Sequence, residues 1–167
     1  MTWYFDLTLL NSCTGIILAP GHQVIFTGTR IHTEHERYRD CEPAQRLERE
    51  NDLHFWFGEA PRIDVYTVPK MEIGGYDSRG GWFAGCPDFC LEAEPLYYID
   101  RDRRCWRITD DSREFGDLGL SWRERMVPAE TIRVFASMDE ARAHYPIHRP
   151  ADTEELLEIF GKMEESI

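Results

Sequence analysis

The sequence predicts an α+β fold, with a mostly antiparallel or mixed sheet and helices packed on it. Three observations carry this expectation. Several short segments alternate apolar and polar residues with a period of two. Glycine and proline turns separate them. Two stretches near the C-terminus open with helix-capping residues ahead of helically spaced apolar positions. The chain has 167 residues, of which 42% are hydrophobic and 13% aromatic. That is enough apolar surface to offset the entropy of ordering one domain over residues 1–167.

The elements follow in order. Trp3, Phe5, Leu7 and Leu9 alternate with Tyr4, Asp6 and Thr8, which predicts a strand that Asn11-Ser12 breaks. An apolar run at 15–19, the turn Pro20-Gly21 and a strand at 23–29 predict a hairpin. Pro43 suits the first turn of a helix reaching about Asn51, with Asp40 or Cys41 near its cap. Leu47 is the only large apolar residue there, so that segment is expected to be a solvent-exposed helix or an ordered loop. Strands are expected at 53–57 and 62–68, the latter with Ile63 and Val65 on one face and Asp64 and Tyr66 on the other.

Residues 73–85 are the most distinctive stretch. Two Gly pairs flank a polar tip, and Trp82-Phe83 follow. This reads as a tight hairpin with the tip 76–79 exposed and Trp82 or Phe83 packed on the next strand. Strands are expected at 95–100 and 104–109 around the turn 100–103. Asp110 or Asp111 can cap a short helix through Phe115. A strand is expected at 130–135. Ser137 and Glu140 form a capping box for a helix that Pro146 stops near Tyr145. Asp152 opens a last helix, expected to dock through Leu156, Leu157, Ile159, Phe160 and Met163.

The net charge is −12, from 31 acidic and 19 basic side chains. This argues against a nucleic-acid partner, because phosphate contacts need clustered Lys and Arg. It argues equally against an anionic membrane surface. It favours a basic protein partner, although solubility alone accounts for it too. Residues 51–100 carry nine acids against three bases, whereas residues 101–150 carry nine against ten. No stretch has the roughly 20 apolar residues of a membrane span, and no basic n-region of a signal peptide precedes Trp3, so a cytoplasmic location is expected.

Five cysteines, an odd number, do not read as a disulfide framework. Cys86 and Cys90 are four apart, a zinc-compatible spacing, but nothing in the spacing supplies two further ligands. His32 and His35 are three apart rather than the four of a zinc-hydrolase helix and read as a polar loop. No cofactor or metal is implied, and no nucleophile elbow, P-loop or dinucleotide fingerprint is present. Tyr76, Asp77, Arg79, Trp82, Asp88, Glu92 and Glu94 gather around the glycine-rich hairpin. Aromatic anchors in an acidic field suit a protein interface, and these seven are the expected partner-binding residues. The same aromatics suit a plain core. The alternative function is a small enzyme or ligand-binding protein using the carboxylates around the hairpin.

The stretch 65–115 resembles the centre of the SMI1/KNR4 (SUKH) superfamily. The glycine-aromatic hairpin, the strand Pro95-Leu-Tyr-Tyr-Ile-Asp, a second strand at 104–109 and the short Asp-Ser-Arg-Glu-Phe helix carry the resemblance. It covers about a third of the chain, and no functional residue is carried over from it. It implies an α+β fold with a mixed or antiparallel sheet. It also implies an immunity protein, since many bacterial members neutralise toxins, often nucleases or deaminases.

Overall fold

A computed structural model describes residues 1–6, 21–85 and 94–149, together with Glu158 and Gly161. Its strands are β1 (Thr2–Asp6), β2 (Gln23–Thr27), β3 (Thr29–Ile31), β4 (Tyr66–Val68), β5 (Met71–Tyr76) and β6 (Trp82–Gly85), followed by β7 (Leu96–Ile99), β8 (Cys105–Thr109), β9 (Val127–Pro128), β10 (Arg133–Phe135) and β11 (Ile147–His148). Its α-helices are α1 (Glu42–Asn51), α2 (Phe115–Leu118), α3 (Trp122–Arg125) and α4 (Met138–Arg142). Mixed strand pairing with few helices makes this an α+β fold.

Among the described residues the largest sheet has six strands, in the order β3-β5-β6-β7-β8-β9. β3 runs parallel to β5, and the other neighbours are antiparallel. Its side chains alternate between two faces, as a pleated strand requires. Phe83, Leu96, Tyr98 and Ile108 point to one face, where Leu53, Phe115 and Trp122 cover them. Ile73, Ala84, Ile99 and Cys105 point to the other, against Val65 and Met71.

Two smaller sheets complete the described fold. β1 lies between β11 and β2 and is parallel to both. β4 pairs antiparallel with β10. The larger and smaller sheets share a bend. β2 and β3 form one strand turned at Gly28, whose φ of +109° is costly for any residue with a Cβ. Gly28 N donates to Thr67 O at 2.8 Å, and Lys70 N donates to Phe26 O at 2.6 Å. The Thr67 hydroxyl donates to Gly28 O at 2.6 Å.

Several sequence expectations need correction. β2 pairs in parallel with β1, a neighbour for which the sequence carries no expectation. The apolar run at 15–19, the other arm of the expected hairpin, lies outside the described residues. Residues 53–57 form no strand; they make two isolated bridges, Glu34 to Phe57 and His54 to Tyr76. The strand expected at 62–68 shrinks to β4, whose three residues are all buried. The expected alternation of faces holds: Ile63 and Val65 pack in one core group, and Tyr66 packs in another with Val68, Ala141 and Ile147. Glu158 and Gly161 are helical and exposed. The apolar stripe expected to dock that last helix lies outside the described residues.

Other expectations hold. α1 starts after Cys41 with Pro43 in its first turn and ends at Asp52, which adopts left-handed geometry (φ 56°). The Ser137 hydroxyl accepts from Glu140 N at 3.2 Å. Glu140 Oε2 reaches back to Ala136 N at 2.6 Å, one residue before the cap. Asp111 caps the short turn that leads into α2.

Candidate functional site

The hairpin of β5 and β6 is built as its sequence suggests, but its tip is not a free loop. Tyr76 pairs with Trp82 and Gly75 with Phe83. Gly80 turns the chain with φ +82°. Gly81 is there for a different reason: a Cβ would collide with the Tyr98 ring and hydroxyl.

Asp77 organises this tip from the inside. It is 2% exposed. Its Oδ1 accepts Gly81 N at 2.8 Å and Arg79 N at 3.1 Å, and its Oδ2 accepts the Tyr98 hydroxyl at 2.9 Å. Arg123, from α3, donates to Asp77 at 3.4 Å and to Asp52 at 2.5 Å. One guanidinium therefore lies between two carboxylates, where it offsets the cost of burying them. Burial pushes the Tyr98 phenol up, and the Asp77 charge pushes it the same way.

Asp52 is the second hub. It accepts the Ser78 hydroxyl at 2.6 Å and faces His54 Nε2 at 2.9 Å. Burial by itself raises its carboxyl. Hydrogen bonds from Ser78, His54 and Arg123 outweigh that and hold it at about 2. His54 Nδ1 lies 3.0 Å from Glu48 Oε1, so its ring is held between two acids. Tyr76 stacks on His54 and on Trp56, each at 5.2 Å. The result is a half-buried aromatic column beside Glu48 and Asp52, fixed by α1, the hairpin and α3.

The expected site residues thus separate. Tyr76 belongs to the column, and Arg79 is exposed beside it. Asp77 is not a surface contact; its bonds inside the turn remove it from that role. Trp82 is half-buried and packs with the second core group. Glu94 is exposed, but it precedes β7 at the opposite end of the strands. That end is roughly 10 Å from the tip at normal strand rise. Asp88 and Glu92 lie outside the described residues, as do Cys86 and Cys90. Asp52, His54, Trp56 and Arg123 were missed because they are distant in sequence and carry no motif.

Comparison with family models, with curated proteins and with solved structures finds no match to this chain.

His32 and His35 have local roles. His32 faces Glu34 at 3.2 Å, and His35 Nδ1 accepts Arg37 N at 3.1 Å to cap a short turn. Among the described residues, no cluster of three or more His, Cys, Asp or Glu is placed to hold a metal ion. Cys41 and Cys105 are free thiols. No described helix is long and apolar enough to cross a membrane. Described residues form concavities that include ones of about 640, 410 and 180 Å³. These three are not lined by Asp77, Trp82 or His35; Glu94 borders the second.

Proposed function

We propose that the chain is an acidic, cytoplasmic protein-binding module: an immunity protein or inhibitor that neutralises a basic partner such as a toxin. The observation that carries this reading is the His54–Tyr76–Trp56 column beside Glu48 and Asp52. Aromatic anchors held rigid before binding lose little entropy on docking, and neighbouring acids steer a basic surface toward them. The net charge of −12 extends that steering over the whole molecule. Tyr76 and Arg79 remain in the proposed contact surface, with Glu48, His54 and Trp56 added.

The test is co-expression with candidate toxins encoded beside this gene, followed by binding kinetics of the purified pair. Rescue of growth and a salt-sensitive association rate are expected. Glu48→Lys should slow association at low salt and matter less as salt rises. Tyr76→Ala should speed dissociation. Failure of every candidate to bind at low and at physiological salt would remove this reading. Asp77 is a poor probe of the interface, because reversing its charge would break the turn that displays it.

A further inference from the structure

One cleft formed by described residues is basic at its rim, in a protein that is acidic overall. It measures about 640 Å³ and lies between the β7–β8 turn and the segment from β9 through β10 to the end of α4. Arg103, Arg104 and Arg133 line it, against one acid, Glu130. Arg104 is engaged by Asp100 at 3.0 Å and Asp102 at 2.8 Å. Arg103 and Arg133 have no carboxylate partner among the described residues. Other arginines differ in this respect: Arg46 pairs with Glu50 and Arg113 with Asp111, whereas Arg79 and Arg125, like Arg103 and Arg133, have no carboxylate partner among the described residues.

The turn that presents Arg103 is fixed. Asp100 Oδ1 accepts Asp102 N at 2.9 Å and Arg104 N at 3.0 Å, and its Oδ2 accepts Trp106 Nε1 at 3.0 Å. Arg103 itself has φ +58°, a left-handed position where Gly, Asn or Asp is the ordinary residue. Its guanidinium makes one long contact, Nε to Asp64 O at 3.4 Å. An arginine at that backbone position, left without an acid, is unexplained by local structure.

One side of the cleft carries aromatic rings. Phe135 stacks on His144 at 5.3 Å and meets Tyr145 edge-on at 6.1 Å. Ile132 and Val134 add apolar surface. A site of this size, mostly polar, with aromatic rings on one side and two guanidinium groups free of carboxylate partners, matches a small ligand having a planar ring and an anionic group. We propose that this cleft binds an aromatic phosphate monoester of mononucleotide type, with the phosphate on Arg103 and Arg133 and the ring against Phe135 and His144. This differs from nucleic-acid binding, which needs an extended basic track rather than one pocket.

Titration calorimetry of the full chain with AMP, GMP, CMP and UMP tests this, with adenosine and inorganic phosphate as separate probes. Saturable binding of at least one monophosphate, one per chain, is expected, and weaker binding of both fragments. Arg103→Asn places a residue suited to the left-handed backbone, so the fold should persist while affinity falls about tenfold, the loss of one charge-assisted contact. Arg133→Ala should do the same, and Arg39→Ala, at an exposed position outside the cleft lining, should change nothing. Chemical-shift mapping on the wild-type chain should place the largest changes at Phe135, His144 and Tyr145. No saturable binding of any monophosphate overturns the proposal. So does binding that both arginine variants leave intact, or inorganic phosphate binding as tightly as the nucleotides.

Discussion

The Tyr98 hydroxyl donates to Asp77 Oδ2 at 2.9 Å, so the middle strand of the large sheet holds the tip of the neighbouring hairpin through a buried, charge-assisted bond. Arg123 and two backbone N–H groups complete the shell around the same carboxylate. Tyr98→Phe should therefore cost about 1.5–3 kcal/mol, the usual worth of a hydrogen bond to a charged group. Asp77→Ala should cost more, because it also frees Gly81 N and leaves Arg123 with one acid. Urea unfolding measures both, and a Tyr98→Phe midpoint equal to wild type would contradict the assignment.

Acid should loosen the fold through Asp52. Its folded carboxyl titrates at about 2, below its ordinary value of 3.8. A depressed carboxyl contributes stability that is fully present above the unfolded value and is lost as pH falls through the folded one. The window is thus from about pH 4 down to about pH 2, and the loss is about 2 kcal/mol. Asp52→Asn should flatten that part of the stability profile. An unchanged slope between those limits would place the acid sensitivity elsewhere.

Phe83 and Trp82 are adjacent in β6 yet should respond differently to truncation. Phe83 is fully buried and meets Tyr98, Phe115 and Trp122 at 5.6, 5.4 and 5.1 Å. Phe83→Ala should cost about 3–5 kcal/mol. Trp82 is half-buried on the opposite face, so Trp82→Ala should cost clearly less. Thermal melts of the two variants check the order, and the reverse order would mean that the faces are assigned wrongly.

Cys105 should be an inert thiol. It is 8% exposed, and burial pushes it up to about 12, with the nearby Asp100 charge acting in the same direction. Cys41 is more accessible. Brief alkylation at pH 8 followed by peptide mass mapping should label Cys41 well before Cys105. Cys105 also lines the basic cleft, so equal labelling would show that its thiol is reachable from there.

The glycine-aromatic hairpin was legible because its evidence is local: alternation, two glycine pairs and a polar tip lie within thirteen residues. The burial of Asp77 was not. An Asp beside Ser and Arg in a turn reads as solvated, and only Tyr98 and Arg123, 21 and 46 residues away, take it out of water. The parallel pairing of β1 and β2 was hidden for a similar reason. Pro20-Gly21 signals a reversal but cannot say which strands end as neighbours. The basic cleft draws Arg103 and Arg133 from separate elements, so no sequence window holds both.

β1 lies between β2 and β11, with Tyr4 opposite both Ile25 and Ile147. A growing chain offers β1 one neighbour early and the other only after some 120 further residues, from Ile25 to Ile147. At ordinary elongation rates of about 5–20 residues per second, that interval lasts on the order of ten seconds. Throughout it, one side of an aromatic strand holding Trp3, Tyr4 and Phe5 lacks its native cover. Nascent chains of this protein are therefore exposed to strand-to-strand association on crowded ribosomes, at a point that the finished fold seals.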